Sequence, residues 1–359
     1  MSLLYKPDWE QTRQRYLAWW AGEAMDRCAL SVTAPKAGAS QEPPPPLPHQ
    51  VEARWTDLDY ICRANQHAHS HTFYGGEAFP IWSGGYPGHT SLPVFMGCPI
   101  ELGPDTGWVE PILTDPEPPD IRTLTINKEG RWWKFAIELL RTAARESAGK
   151  SIPSTGAFGG SGDTLSWLRG NLRLLYDLVD RPDWVRDADI YLMDLWCEAY
   201  DAFHDVVREA AGGSTGWFDL WSPGKFYASQ NDFSYMISPK MFHDIFLPTV
   251  QKQTGFLDHS VYHVDGVCAF VHVDSLCDLP RLQALQILPG AGKPSPLHYM
   301  DVLKRVQARG KNLHISIPPH QVRMALEELS ARGLFIATHC STESEARQLL
   351  QDATRWSHD

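Results

Sequence analysis

The sequence lacks several features that mark common classes of protein. It has no uninterrupted apolar run of the roughly 18 residues that a membrane helix needs. It also has no dense basic run, and 32 Lys and Arg against 43 Asp and Glu give a formal net charge of -11. Neither a nucleic acid nor an anionic membrane is therefore an expected partner, and a small-molecule substrate is.

Three further absences concern the compartment and the cofactor. The opening MSLLYKPDWEQTRQRY reaches charge within six residues and has no hydrophobic signal region, so we expect a soluble, unexported protein. Seven cysteines occur without a CxxC pair in a chain too long to need disulfide staples, which indicates reduced thiols and the cytoplasm. No GxGxxG follows a first strand, which argues against dinucleotide binding.

The sequence does contain enough apolar residues for a large core. Of its 359 residues, 43% are hydrophobic and 21% charged, which excludes wholesale disorder. Short apolar segments alternate with amphipathic helices from Ser151 onward. Strands are expected at 152–158, 216–221, 261–264, 285–288, 313–317 and 334–338, with two more at 29–33 and 79–82.

This alternation predicts a single α/β domain over 1–359. Because a helical crossover returns each strand to the same end of the sheet, the strands should pair in parallel. Eight such units favour a closed (β/α)8 TIM barrel over an open doubly wound sheet. We expect an N-terminal helical extension within 1–27, a Pro-rich surface loop at 36–56 and a long helix over 182–212.

In a barrel, reactive residues follow the carboxyl ends of the strands. Side chains alternate between the two faces of a strand, so in YHVDG at 262–266 His263 and Asp265 should point to the same face. Such a pair can bind a divalent metal, orient a general base or close a turn. Cys340 precedes a helix that begins near Thr342, where the helix dipole would favour a thiolate, although a buried small hydrophobe is the alternative.

Other candidate residues lie in loops and aromatic clusters. Asn231 and Asp232 follow a strand end, as does the Ser161-Gly162-Asp163 loop, although Asn and Asp in loops often form local turns. Aromatic side chains are candidates to line a pocket for a planar or methylated ligand, with core packing as the alternative: Trp82, Tyr86, Trp108, Trp217 and Trp221. The HxHxH run at 67–71 follows a helical stretch, so a solvated helix face is favoured over a metal site.

Several motifs together resemble a known superfamily. The runs QNDFSYMISPKMF at 230–242, FLP at 246–248 and HVDG at 263–266 resemble the uroporphyrinogen decarboxylase superfamily. That superfamily includes zinc-dependent methyltransferases that act with corrinoid proteins. FYGGEAFPIW at 73–82 is similar to a less characterised branch, and the resemblance extends from about residue 5 to the end.

The resemblance implies a site but departs from both well-known activities. The decarboxylases carry an arginine motif after the first strand, where this chain reads LSVTAPKAG at 30–38, so true uroporphyrinogen decarboxylation is not expected. The methyltransferases bind zinc with a His-x-Cys pair and a later Cys, which here become His263, Asp265 and Cys340. Such a set suits zinc with an open fourth position.

The leading hypothesis is therefore zinc-assisted methyl transfer involving a corrinoid carrier or a thiol. Asp232 and His339, the latter near a histidine of the decarboxylases, would be the acid and base groups, with substrate contacts from Trp82, Tyr86, Trp221 and Asn231. The alternatives are a cofactor-free decarboxylase or lyase on a carboxylated substrate, and a non-catalytic ligand-binding barrel. The resemblance also makes a homodimer an alternative to a monomer.

Overall fold

The computed structural model describes residues 2–358 and is a mixed α/β structure around a central, mainly parallel sheet. The strands are β1 (Ala29–Pro35), β2 (Thr72–Gly76), β3 (Ile81–Trp82), β4 (Ile100–Leu102), β5 (Gly107–Val109), β6 (Ile152–Pro153), β7 (Phe226–Gln230), β8 (His259–Asp265), β9 (Ala284–Leu288), β10 (Asn312–Ser316) and β11 (Leu334–His339).

Helices fill most of the connections between these strands. They are α1 (Trp9–Trp20), α2 (Val51–Thr56), α3 (Leu58–His71), α4 (Leu92–Phe95), α5 (Arg131–Ser147), α6 (Asp163–Arg169), α7 (Asn171–Asp180), α8 (Pro182–Ala211), α9 (Pro239–Met241), α10 (Leu247–Phe256), α11 (Val273–Cys277), α12 (Met300–Ala308), α13 (Val322–Glu328) and α14 (Glu343–Trp356). Within residues 2–358, no helix combines the length and apolarity needed to cross a bilayer.

The main sheet has seven strands in the order β2-β1-β11-β10-β9-β8-β7. All its neighbours pair in parallel except β1 and β2, which are antiparallel. A separate parallel pair, β3 and β6, and an antiparallel pair, β4 and β5, complete the strands of the described chain. The predicted parallel pairing of successive strand–helix units is therefore confirmed, although no closed eight-stranded ladder forms among residues 2–358.

The departures from the predicted barrel lie in segments rich in proline and glycine. The strand expected at 152–158 is reduced to β6, and 216–221 is irregular, flanked by an isolated bridge between Ser214 and Ser222. Pro153 lacks a backbone donor, and Gly156 and Gly159 adopt positive φ values of 76° and 107°, so a regular ladder cannot continue there.

The sequence prediction also missed four strands, β2, β4, β5 and β7, and the short helix α2. β7 forms from FYASQ, where the expected strand lay about ten residues earlier. The predicted surface loop at 36–56 is helical in its last part, because α2 occupies 51–56. α1 and α8 form close to their predicted ranges, and Gly212 ends α8 in the left-handed conformation with φ 56°.

Alternate residues of the main sheet pack against two different sets of side chains. On the outer face, residues such as Leu30, Val264 and Ile336 join the large core beneath the helices. On the inner face, small and aromatic residues near the amino ends of the strands pack with α1 in a second core: Ala29, Phe226, Val261, Ala284 and Phe335. This alternation decides which residues can line a site.

α1 covers the amino ends of the strands with aromatic side chains. Trp19 lies 5.5 Å from Phe335 between ring centroids, and Trp20 lies 4.6 Å from His259. The Trp19 indole donates to Gly333 O at 2.9 Å, which satisfies a polar group that burial would otherwise leave unpaired. The open end of the sheet is therefore the carboxyl end.

Replacing Trp9 should test this packing. Trp9 is buried against Phe79 and Trp221, at 5.3 Å and 5.6 Å between centroids. We expect Trp9→Ala to lower the free energy of unfolding by about 3–5 kcal/mol, because the cavity cannot collapse around such rigid neighbours. Urea denaturation measures this, with Leu17→Ala on the exposed side of the same helix as the control. A loss of less than about 1 kcal/mol for Trp9→Ala would contradict the packing.

Candidate active site

Polar side chains replace apolar ones on the inner face toward the carboxyl ends of the strands. The register places Gln230 beside His263, His263 beside Gln286, and Gln286 beside His314. Asp265 follows two residues after His263, on the same face of β8. The predicted common orientation of His263 and Asp265 agrees with this register.

A hydrogen-bonded chain fixes the orientation of His263. Its Nδ1 donates to Gln286 Oε1, and Gln286 Nε2 donates to His314 Nδ1 at 3.2 Å. His314 Nε2 in turn lies 3.4 Å from Asp219 Oδ1. Because Gln286 must accept from one imidazole and donate to the other, Nδ1 of His263 carries a proton and its Nε2 faces Asp265 Oδ2 at 3.8 Å.

Charges around His263 determine its protonation and that of Asp232. Burial lowers the pKa of His263, but Asp265, Asp232 and the Gln286 hydrogen bond outweigh burial and raise it above its usual value. Burial raises the pKa of Asp232, Asp265 raises it further, and His263 only partly opposes them. The surroundings therefore stabilise the cationic form of His263 and the protonated form of Asp232, relative to the same groups in water.

Asp163 is a second buried carboxyl group beside Asp232. It accepts hydrogen bonds from Gln230 Nε2 at 2.9 Å and from the Phe233 N–H at 3.0 Å. Burial, followed by the charge of Asp232, raises the pKa of Asp163 to about 7. Sequence analysis treated the Ser161-Gly162-Asp163 loop as one of two candidate turns, and the structure brings it against the Asp232 loop.

The Asp163 loop is held from behind by Asp189 of α8. Asp189 accepts from Ser161 Oγ and from the Gly162 N–H, both at 2.7 Å, and burial raises its pKa to about 6. Gly162 has φ 72°, and a Cβ there would lie 2.3 Å from Asn231 Oδ1. Only glycine suits this position, where the two site loops touch.

Two predicted substrate contacts lie at this site. The Tyr86 ring is partly exposed, and burial of its hydroxyl, with Tyr227, Asp163 and Asp232 as neighbours, raises its pKa well above the usual value. Asn231 is buried, and its Oδ1 accepts from the Ser234 N–H at 3.1 Å, so it caps the 232–236 turn. Asn231 therefore shapes the Asp232 loop, while Tyr86 is placed to contact a ligand.

The two predicted tryptophan contacts lie elsewhere. Trp82 faces outward into a small core with Ile61, Leu139 and Ala143. Trp221 is fully buried beneath α1, and its indole donates to Ala211 O at 3.2 Å. Neither ring lines the cleft beside Asp232, because aromatic composition does not indicate which face of the sheet a ring occupies. Trp217, by contrast, packs edge-on against His263 at 5.1 Å between ring centroids.

His339 and Cys340 lie on opposite faces at the end of β11. His339 is exposed, and its Nδ1 lies 3.0 Å from Thr33 Oγ1. The Cys340 N–H donates to Thr33 O at 2.8 Å, which extends the strand pairing by one residue, and its fully buried side chain joins the outer core. No hydrogen bond or ion pair joins His339 to Asp232 in the described part of the chain.

The surroundings of Cys340 oppose the thiolate that the sequence predicts. Burial, followed by the negative charge of Glu345, raises the pKa of this thiol to about 11. Glu345 belongs to the predicted capping box, in which its N–H donates to Thr342 Oγ1 at 3.1 Å and its carboxylate accepts from the Ser341 N–H at 2.9 Å. The same carboxylate that caps α14 opposes the effect of the helix dipole on the thiol.

The zinc ligand set implied by the resemblance does not assemble. His263 and Asp265 share the inner face, but Cys340 points away from them into the outer core. Among residues 2–358, no three His, Cys, Asp or Glu side chains are arranged to hold a metal ion.

The histidine run on α3 also has structural contacts. The rings of His67 and His71 stack at 3.9 Å between centroids. Their Nε2 atoms hydrogen-bond to the backbone oxygens of Glu42 and Ser40, respectively.

The open part of the site is a cleft of about 320 Å³. Asp232 and Asp265 line it together with Tyr235, Met236 and Lys293. Sequence analysis did not identify Gln286, His314 or Asp219. The first two had a detectable signal, since each is a polar residue on the inner face of an otherwise apolar strand, LQIL and LHI.

Comparison with known proteins identifies a fold. No known family model matches the chain, and no curated protein is similar to it in sequence. A methyltransferase from Methanosarcina mazei has a similar structure, with a TM-score of 0.61 over 96% of this chain and 98% of that chain, at 16% identity. The similarity in fold covers nearly all of the chain, while the uroporphyrinogen decarboxylase resemblance stays an interpretation of the motifs.

The raised pKa of Asp163 predicts how stability depends on pH. Its proton is held in the folded state up to about pH 7 but only to about 3.8 when unfolded, so its stabilisation is complete at low pH and is lost as pH rises through 7. Asp163→Asn keeps the acceptor oxygen without the charge. Between pH 5 and 8, we expect the variant to gain on the order of 2 kcal/mol or more relative to wild type.

Urea denaturation at both pH values measures this difference. Asp105→Asn, at an exposed loop position, is the matched control and should leave the pH profile of the wild type unchanged. Parallel profiles for wild type and Asp163→Asn would show that Asp163 ionises as easily in the folded chain as in the unfolded one.

Proposed function

We propose that the protein is a methyltransferase that moves a methyl group between a small methylated molecule and an acceptor at the carboxyl end of its sheet. The observation that carries the proposal is the Asp232–His263–Asp265 group, which lies at this end of a fold that is similar to a methyltransferase over 96% of the chain. The fold supports the reaction class, and the site supplies the proton chemistry.

Methyl transfer from oxygen, nitrogen or sulfur leaves a lone pair that takes up a proton. A methyl donor CH3–X–R and a nucleophilic acceptor give CH3–acceptor and HX–R when an acid supplies that proton. Asp232 is buried, has a raised pKa and lines the cleft, so at neutral pH it is protonated to a greater extent than an exposed Asp. In the reverse direction, its carboxylate takes the proton back.

His263 holds the charge of this site in place. Its Nδ1 proton is fixed by Gln286, so its Nε2 faces Asp265, and the imidazolium form offsets the carboxylate that Asp232 becomes after proton transfer. Tyr86 lies beside the same carboxyl group and can orient the substrate heteroatom. These roles fall to His263 and Gln286 on the inner face and to Asp232 and Tyr86 in the adjacent loops.

Zinc is not assigned a step. The sequence placed it on His263, Asp265 and Cys340, but the Cys340 side chain is on the other face of β11. A thiol acceptor activated by zinc therefore loses its structural support. A corrinoid carried by a partner protein stays part of the proposal, because Tyr235, Met236 and Val271 expose apolar surface around the cleft.

The lyase and binding alternatives are less well supported. A carboxylated substrate would meet Asp232 and Asp265 in the cleft, where the lining residues in the described chain include one cation, Lys293. A non-catalytic barrel would have no use for the buried acidic groups of Asp163 and Asp232. Methyl transfer accommodates a neutral or cationic substrate.

The test is a methyl-transfer assay on metal-depleted protein. Methylated phenols, thiols and amines with a ¹³C-labelled methyl group are offered with reduced free cobalamin as acceptor, and NMR follows the label. We expect Asp232→Asn to lower the rate about 100-fold or more, because the acid is lost. Cys340→Ala should change the rate by less than about threefold, since its thiol faces the core.

Two controls separate the possible failures. Asp244→Asn removes an exposed carboxylate away from the cleft and should leave the rate unchanged. Elemental analysis of untagged wild type and Cys340→Ala measures zinc directly. Transfer that is insensitive to Asp232→Asn would overturn the proposed acid, and stoichiometric zinc lost in Cys340→Ala would overturn the assignment of Cys340 to the core.

A further inference from the structure

α7 exposes an apolar stripe that its own chain does not cover. Leu172, Tyr176 and Val179 are 64%, 61% and 70% exposed. Their spacing of four and then three residues puts them on one face of the helix. The opposite face, which includes Leu174 and Leu178, is buried against the rest of the protein. Large apolar side chains that are contiguous and exposed mark a surface that another molecule covers.

Two opposite charges lie at the ends of this stripe. Arg173 and Asp180 are both exposed, and they stand seven residues apart, about 10 Å along the helix axis. At 100° per residue, both fall on the same flank of the stripe. In the described part of the chain, the side chain of neither residue makes an ion pair or a hydrogen bond. α7 therefore presents one free positive and one free negative charge on one edge.

We propose that the stripe binds the α7 of a second copy of the chain, in an antiparallel two-fold dimer. In such a dimer the two-fold axis is perpendicular to the plane that contains both helices. The charged flanks of the two copies then lie on the same side of the interface, and the two helices run in opposite directions. With the axis near Tyr176 and Asp177, Arg173 of each copy lies opposite Asp180 of the other. A parallel two-fold arrangement would instead place the charged flanks of the two copies on opposite sides of the interface, where Arg173 and Asp180 do not meet.

The pattern favours a second copy over an unrelated protein. A two-fold interface must be complementary to itself. The stripe meets this condition, because Arg173 and Asp180 carry opposite charges and lie at equal distances on either side of its apolar centre. The stripe is small compared with the roughly 800 Å² that each partner buries in a standard interface. The dimer should therefore dissociate on dilution. This proposal is independent of the methyl-transfer proposal.

Sedimentation velocity of the full chain over a concentration series tests the dimer. Wild type should sediment as a mixture that shifts toward dimer as concentration rises. Tyr176→Glu should remain monomeric, because it places a charge at the centre of the interface. Met324→Glu, at an exposed position on α13, is the matched control and should behave as wild type. Circular dichroism confirms that each variant is folded.

Charge reversal tests the orientation of the two helices. Arg173→Asp alone and Asp180→Arg alone each place like charges opposite one another, so each should weaken the dimer on the order of tenfold. Mixing these two variants restores both opposite-charge pairs in a heterodimer, which should form more readily than either homodimer. At high salt these differences should shrink.

Three outcomes would overturn the proposal. Wild type that is monomeric at every concentration has no such interface, even if α7 binds another protein. A dimer that persists in Tyr176→Glu uses a different surface. A dimer that Tyr176→Glu abolishes, but that mixing of the charge variants does not restore, has the helices in another orientation.

Discussion

The alternation of side chains across the parallel strands is the constraint on which the site depends. One set of alternate residues builds the core beneath the helices, and the other set faces inward. At the amino ends the inward set is apolar and closed by α1, while toward the carboxyl ends it becomes polar. His263, Gln286 and His314 meet only because the register of β8, β9 and β10 places three inward-facing residues side by side.

That constraint explains which parts of the site the sequence predicts. His263 and Asp265 belong to one strand and stand two residues apart, so their shared orientation follows from local geometry. His339 and Cys340 are adjacent in a strand that continues one residue further than expected, and adjacent strand residues face opposite sides. A strand that ended at 338 would leave both residues free to face one site, but the longer strand holds them on opposite sides. The Gln286 bridge depends on register between strands, which no local pattern specifies.

The fold likewise has a part that the sequence predicts well and a part that it does not. β8 to β11 and α8 have clear apolar periodicity and short connections, and their predicted ranges are close to those in the structure. The segments that would close the sheet between β2 and β7 contain proline and glycines with positive φ. Their strands are therefore reduced to β3 and β6, and the predicted barrel has no continuous ladder of hydrogen bonds. In that region side chains accept hydrogen bonds from backbone groups that have no partner strand. Tyr227 Oη, for example, accepts from the Phe158 N–H at 3.0 Å.

Closure of the amino end by α1 has a consequence for the way molecules reach the cleft. The inner cavity has a floor of packed aromatic rings and opens at the opposite end, so any molecule that binds near His263 enters and leaves through that end. In the proposed methyl transfer, donor and acceptor would therefore share one entrance. A reactant bound near His263 could then leave only when the entrance above it is free.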